Sequence, residues 1–205
     1  MNRYAVLAVG DSPYSISELP ADDRVERARA GDERAFVELY REHYAEVRAL
    51  AERILGCPMT AEDVVHDVFL ALPDALSRFR GDGTLRNYVL SIVVRASRRH
   101  VRTARRRRAL EEQLARETDG AATATRPDCD AESRELARLL RSALDALSED
   151  QRVAFVLCEV EERTSVEAAE ILGENDSTVR ARVFHAKKKL RARLEKVRSE
   201  RGKIR

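Results

Sequence analysis

Tryptophan is absent from this chain of 205 residues, aromatic residues of any kind make up 5% of it, and glycine and proline number only 8 and 5. So few aromatics and turn formers, beside 36% charged residues, favour helices over strands. Cysteine is scarce as well. Cys57, Cys129 and Cys158 stand far apart with no CxxC or Cys/His spacing, which argues against a zinc site and a disulfide framework and fits free thiols in a reducing cytoplasm. Long apolar runs are missing too. The one apolar stretch near the start, Tyr4 to Val9, is too short for a signal peptide or a bilayer span, so no membrane insertion is expected. Residues 1–21 are expected to form a disordered leader, with a short partner-binding arm as the alternative.

Charge is plentiful but segregated. The formal net charge is only +2, yet eight arginines and no acid lie between Arg95 and Arg108. Lys and Arg again far exceed Glu195 and Glu200 from Arg180 to Arg205, whereas acids modestly outnumber bases from Ala21 to Val94. Such segregation suggests a polyanion partner for the basic segments and a different partner for the acidic part. Helical periodicity runs from about Asp22 to Arg108, fades through Thr118 to Pro127, and resumes near Ala131. The fold expected is all-α: two small helical domains at 22–108 and 132–199, joined by a flexible linker at 109–131, with a basic tail at 200–205.

In the first block, Phe36, Leu39, Tyr40, Tyr44, Val47, Leu50, Ala51 and Ile54 keep helical spacing, and Gly56 with Pro58 ends that helix. Thr60 is placed to cap the next helix, which buries Val64, Val65, Val68, Phe69 and Leu72. Its other side exposes Glu62, Asp63, His66 and Asp67, an acidic face. A loop from Phe79 to Thr84 follows, and its glycines, Gly81 and Gly83, permit backbone shapes that other residues resist. On the third helix Leu85, Val89, Ile92, Val93 and Ala96 share the core arc, while Tyr88, Arg95, Arg99, Arg102 and Arg106 form a separate stripe. At 1.5 Å rise per residue that stripe is ~15 to 25 Å long, enough to follow a phosphate backbone. With no acid in the run to compensate it, nucleic-acid contact is expected over a merely solvated helix end.

In the second block, Ser148 with Gln151 and Thr164 with Glu167 each match a capping box, marking two helix starts. Ala168, Ala169, Ile171 and Leu172 follow, then Gly173 at a helix stop, then Asn175 or Asp176 as a new cap. In the last helix Val179, Val183, Ala186, Leu190 and Leu194 keep core spacing, while Thr178, Ala181, Phe184, His185 and Lys188 lie opposite, with Arg180 and Arg182 towards the sides. A short helix, a tight turn and a longer basic helix make a helix-turn-helix whose last helix suits a major groove. Arg180 is placed to read a guanine, and Phe184 a thymine methyl.

Taken together, these stretches resemble the sigma-70 superfamily of bacterial transcription initiation factors, in its small extracytoplasmic-function group. Gly31 to Phe36 looks like that family's opening helix, and Ala61 to Leu70 like its polymerase-docking region. Phe79 to Tyr88 is similar to the loop that captures a flipped base of the −10 element, and Leu147 to Arg152 with Ser177 to Arg182 to its −35-reading domain. Tyr88 stands where tryptophan is usual, Arg95 where asparagine is, and Ser177 where glycine is.

The resemblance implies core RNA polymerase as partner at Glu62, Asp63, His66 and Asp67. It implies −10 contacts from Phe79, Arg80, Asp82, Thr84, Asn87, Tyr88, Arg95, Arg99, Arg102 and Arg106, and −35 contacts from Thr178, Arg180, Ala181, Arg182, Phe184, His185 and Lys188. An anti-sigma partner is implied as well. No cofactor, catalytic residue or metal is expected, and the chain is read as a cytoplasmic, non-enzymatic protein. The alternative is a free-standing helix-turn-helix regulator that binds duplex DNA without polymerase. A metal-dependent nuclease built on Glu62, His66 and Asp67 finds little support, because no second helix offers matching ligands.

Overall fold

A computed structural model describes residues 23–81, 83–117 and 142–202. The expected leader, most of the expected linker, the end of the tail, Asp82 and Cys129 lie outside the described residues. Within them the structure is helical, with no strand. The elements are α1 (Asp23–Arg29), α2 (Glu33–Leu55), α3 (Pro58–Arg78), α4 (Leu85–Glu117), α5 (Glu149–Phe155) running into a π-helical turn (Val156–Val160), α6 (Ser165–Leu172) and α7 (Asp176–Gly202).

Local chemistry sets the helix ends. The Asp32 carboxylate accepts from the N–H groups of Arg34 (2.9 Å) and Ala35 (3.3 Å), and so starts α2. Its pKa lies below the usual carboxylate range, chiefly through the hydrogen bond from Arg27. Thr60 does not cap α3. That helix opens at Pro58, two residues before Thr60, with the proline ring already set for a first helical position, and no side chain caps it at Cys57. Both capping boxes form as expected at Ser148 and Thr164, and Gly173 closes α6 in the left-handed conformation (φ 65°). The last helix, α7, then begins at Asp176.

The core of the N-terminal unit joins Leu39, Val47, Leu50 and Ile54 of α2 to Val64, Val68, Leu72 and Leu76 of α3. Val89, Ile92, Val93 and Ala96 of α4 complete it, which is the face expected of that helix. But α4 has a second buried stripe. Leu90, Val94, Ser97 and Val101 are also buried, at spacings of four, three and four, on a face turned about 125° from the first at ~100° per residue. Residues of α5, α6 and α7 (Val153, Leu157, Ala168, Ile171, Val179) belong to the same continuous apolar cluster. The C-terminal unit is therefore packed onto α4, which is sandwiched between the two.

Two further differences from expectation follow from this packing. The helix α4 continues past Arg108 to Glu117, with Arg107 paired to Glu111 one turn on (3.4 Å). Leu194, expected in the core, is 63% exposed. A small separate cluster of Leu144, Leu147 and Ala186, with Phe155 and Leu190 against it, packs on α7 in its place.

Candidate nucleic-acid and polymerase interfaces

On α3, Glu62, Asp63, His66 and Asp67 are all exposed, as the periodicity predicts. Glu62 accepts from Arg48 Nε (2.6 Å) and from the Tyr44 hydroxyl (3.3 Å). Beside it, Tyr40 and Phe69 meet with ring centroids 4.4 Å apart, and Leu70 is 49% exposed. An acidic helix face thus borders an aromatic edge. Burial holds the His100 imidazole of α4 below its ordinary pKa, against the opposing pull of Asp63 and Asp67. Among the described residues, no group of three or more His, Cys, Asp or Glu could hold a metal ion.

The loop after α3 is anchored from beneath. Arg29 donates from Nε to the Leu76 carbonyl (2.8 Å) and from Nη2 to the Phe79 carbonyl. Gly81 and Gly83 take φ of 82° and 83°, and a Cβ at either would meet nothing within 4 Å, so backbone conformation alone selects glycine there. Phe79 and Tyr88 pack ring to ring, centroids 4.9 Å apart. The Tyr88 hydroxyl donates to the Ala75 carbonyl (2.9 Å), and burial pushes its pKa up. Thr84 Oγ1 accepts from the Asn87 N–H (3.1 Å) and so helps to start α4. Arg80 and Thr84 are exposed. Of the residues expected to capture a base, those described (Phe79, Arg80, Thr84, Asn87 and Tyr88) therefore gather around one loop on a fixed aromatic floor.

The arginine stripe is divided. Arg99 and Arg106 are exposed, and Arg95 is half-buried with Nη2 on the Ser91 hydroxyl (3.0 Å). Arg102, in contrast, pairs with Glu149 (3.3 Å), and Asn87 donates to Glu170 (3.1 Å). The eight arginines are not uncompensated after all. Arg98 lies between Asp150 (3.1 Å) and Glu174 (3.5 Å), Arg105 donates to the Asp145 carbonyl (3.0 Å), and Arg108 pairs with the Asp145 carboxylate. Every one of these acceptors belongs to the C-terminal unit.

That unit is also tied to α2. Arg152 is buried, donating to the carbonyls of Leu144 (3.1 Å) and Ile54 (3.3 Å) and to Asp145 Oδ1 (2.8 Å). Ile54 sits in the last turn of α2, where carbonyls lack helical partners, so a cation from the second unit satisfies an orphan of the first. Burial opposes charge on both Arg152 and Asp145. Hydrogen bonds and charge from Arg152 and Arg108 outweigh it at Asp145, whose pKa lies below its ordinary value. Glu46 of α2 takes Arg86 and Arg163 together, each at 2.7 Å, and Arg53 pairs with Glu161. None of these cross-unit residues stands among those expected from the sequence to act. The second stripe on α4 is the one signal that points to them.

On the outer side of α7 the expected groove-facing residues are presented to solvent. Arg180, Ala181, Phe184, His185 and Lys188 are exposed, Thr178 is partly so, and Phe184 is 66% exposed with His185 edge-on at 5.6 Å. Arg180 pairs with Asp176 one turn back, which holds its guanidinium over the start of the helix. Arg182 differs: it turns inward to Glu174 and to Asp150 (3.5 Å), the same two acids that hold Arg98. A cavity of about 400 Å³ opens beside the helix, between Arg180, Val183, Phe184 and Lys187 on one wall and Cys158, Glu159, Arg163 and Ser165 on the other.

Two family models match the chain in order, Sigma-70 region 2 at residues 39–107 and Sigma-70, region 4 at residues 137–190, together more than half of it. Over 177 residues it is 27% identical to the ECF RNA polymerase sigma-E factor of Haemophilus influenzae, covering 83% of this chain and 93% of that one. Over 179 residues it is 29% identical to the RNA polymerase sigma-H factor of Pseudomonas aeruginosa, covering 83% and 92%. Among solved structures it is similar in fold to CnrH in complex with the cytosolic domain of CnrY, with a TM-score of 0.58, 24% identity and coverage of 84% and 96%. It is similar also to the sigma factor RpoE in complex with the anti-sigma factor NepR from Bartonella quintana, with a TM-score of 0.54, 24% identity and coverage of 78% and 96%.

Proposed function

The chain belongs to the sigma-70 family, with region 2 and region 4 in order, and from that premise we infer that it is a sigma factor of the extracytoplasmic-function group. It binds core RNA polymerase, recognises the −10 and −35 promoter elements and promotes DNA melting for transcription initiation. The observation that carries this is the pairing, on one chain, of an exposed acidic face on α3 with an exposed basic recognition helix in α7. A regulator working without polymerase needs only the second.

We assign the polymerase contact to Glu62, Asp63, His66 and Asp67. The loop Phe79 to Tyr88 receives an unstacked −10 base, with Arg95, Arg99, Arg102 and Arg106 on the flanking phosphates. Extruding a base costs a few kcal/mol, which stacking and hydrogen bonding in the pocket must return, so melting is driven by binding and needs no nucleotide hydrolysis. In region 4, α7 enters the major groove and offers Thr178, Arg180, Ala181 and Phe184 to base edges, with Lys188 and His185 towards the backbone. Arg182 joins them only after leaving Glu174 and Asp150. The segment between the units is proposed as the linker that lets each reach its own element. An anti-sigma protein is the proposed inhibitory partner, and the cytoplasm the proposed site of action; among the described residues no helix is long and apolar enough to cross a membrane.

The test is transcription in vitro with purified core polymerase on a pool of genomic promoters. Start-site-specific initiation that depends on the added protein is expected. Failure both to bind core and to direct initiation would overturn the reading.

A further inference from the structure

The last turn of α3 ends on carbonyls that no helical N–H can reach, and the chain leaves it extended at Phe79 (φ −68°, ψ 118°), with no glycine to close the helix. Groups from outside α3 meet those carbonyls instead. The Ala75 carbonyl takes the Tyr88 hydroxyl, and the Leu76 carbonyl takes both the Phe79 N–H (3.1 Å) and Arg29 Nε (2.8 Å). Arg29 Nη2 reaches on to the Phe79 carbonyl, while Nη1 is held by Glu26 one turn back (2.5 Å). One planar guanidinium thus grips the end of the helix and the first peptide of the loop together. We propose that Arg29 is a positioning residue for −10 recognition: it sets the direction in which the loop leaves α3, and so the fit of an unstacked base against Phe79 and Tyr88. The inference rests on the assignment of that loop to the −10 base.

The anchor is itself held in place. Val25 of α1 is buried in the shared core, Arg27 donates to the Asp32 carboxylate through Nε (2.9 Å) and Nη2 (2.7 Å), and Asp32 caps α2. Arg24 adds a pair with Glu42 of α2 (2.5 Å). The loop beyond is different. Gly81 and Gly83 both stand at positive φ, with nothing within 4 Å of where a Cβ would be, so its path is decided at its two roots. Thr84 Oγ1 and the Tyr88 hydroxyl set the α4 root, and Arg29 sets the α3 root. A support that lets a contact drift by about 1 Å forfeits much of its selectivity. Lysine at this position would bring one ammonium to one carbonyl at a time, whereas the rigid fork of arginine spans two. Arg29 lies ahead of the stretch that matches Sigma-70 region 2, residues 39–107. The proposal therefore extends the promoter-reading apparatus back into α1.

The test uses the full chain bound to core polymerase. 2-Aminopurine placed in turn along the non-template −10 strand of a promoter that this complex transcribes marks the base the loop takes up, as the one whose fluorescence change Phe79→Ala abolishes. Four single-stranded oligonucleotides differing only at that base then measure discrimination, the affinity for the best base over the mean of the other three. Arg29→Met keeps an unbranched stem but removes the fork, and the Leu76 carbonyl keeps the Phe79 N–H. It should cut discrimination by about tenfold, with affinity for core polymerase and for −35 duplex unchanged. Arg29→Lys should fall between the two. Discrimination equal to wild type in Arg29→Met overturns the positioning role and leaves the loop's assignment standing. Weaker binding of all four oligonucleotides in the same proportion makes Arg29 a support of the fold alone and also overturns it. If no base in the wild-type complex responds to Phe79→Ala, the base-capture reading and the proposal fall together.

Discussion

Arg152 carries a charge into a place where charge is costly, and three acceptors on two units keep it there. Removing it leaves Asp145 with Arg108 alone of its two guanidinium partners and the Ile54 carbonyl unsatisfied, so Arg152→Ala should destabilise the fold by about 3–5 kcal/mol. Urea denaturation measures this, and a loss under ~1 kcal/mol would mean that the side chain is no anchor. His43 has the opposite problem. It is buried, and burial holds its imidazole below the ordinary value despite Glu42 and Glu46 nearby. The unfolded chain then takes up the proton first, so stability is complete above about pH 6.5 and falls as the pH drops below it. His43→Gln should flatten that slope between neutral and mildly acidic pH, and an unchanged slope would place the titration elsewhere. At Arg180, solvent-facing and paired only within its own helix, truncation should leave folding and core binding unchanged but cost about 1–3 kcal/mol in −35 duplex affinity. Unchanged promoter occupancy would remove it from the recognition surface.

At the scale of the element, the two capping boxes start α5 and α6, and Ser148→Ala or Thr164→Ala should each cost about 1 kcal/mol of stability. Thermal denaturation of the single variants checks this, and a null effect from both would show that packing alone sets these starts. Such caps were legible in the chain because they join residues three apart. So were the first apolar face of α4, the acidic face of α3 and the outward face of α7, each a matter of helical period. What sequence could not reveal was the partner of the second face of α4. Leu90, Val94 and Val101 are apolar whatever covers them, and the acid that meets Arg102 lies 47 residues away. An arginine run judged by its neighbours in the chain therefore looked unpaired. Thr60 failed as a cap for a different reason: proline at 58 had already set the helix start.

At the scale of the whole molecule the prediction concerns distance. Dyes on the exposed positions Arg41 and Arg191 should transfer energy efficiently in the free chain, where the two units are packed on one another. Transfer should collapse when core polymerase and promoter DNA are both present, since the two elements are ~85 Å apart. Efficiency unchanged on forming that complex would contradict opening.

The packing covers one surface and spares another: part of the arginine-bearing side of α4 is occupied, while Glu62, Asp63, His66 and Asp67 on α3 stay exposed. That asymmetry bears on traffic inside a crowded cell. A genome offers about 10⁶–10⁹ non-specific sites, a sink able to strand any small basic protein. A chain that shields part of its own basic side yet keeps its acidic side in view escapes much of that sink, and on the proposed assignment of the acidic side to polymerase it is collected by polymerase before DNA, an order of assembly set by what is left uncovered.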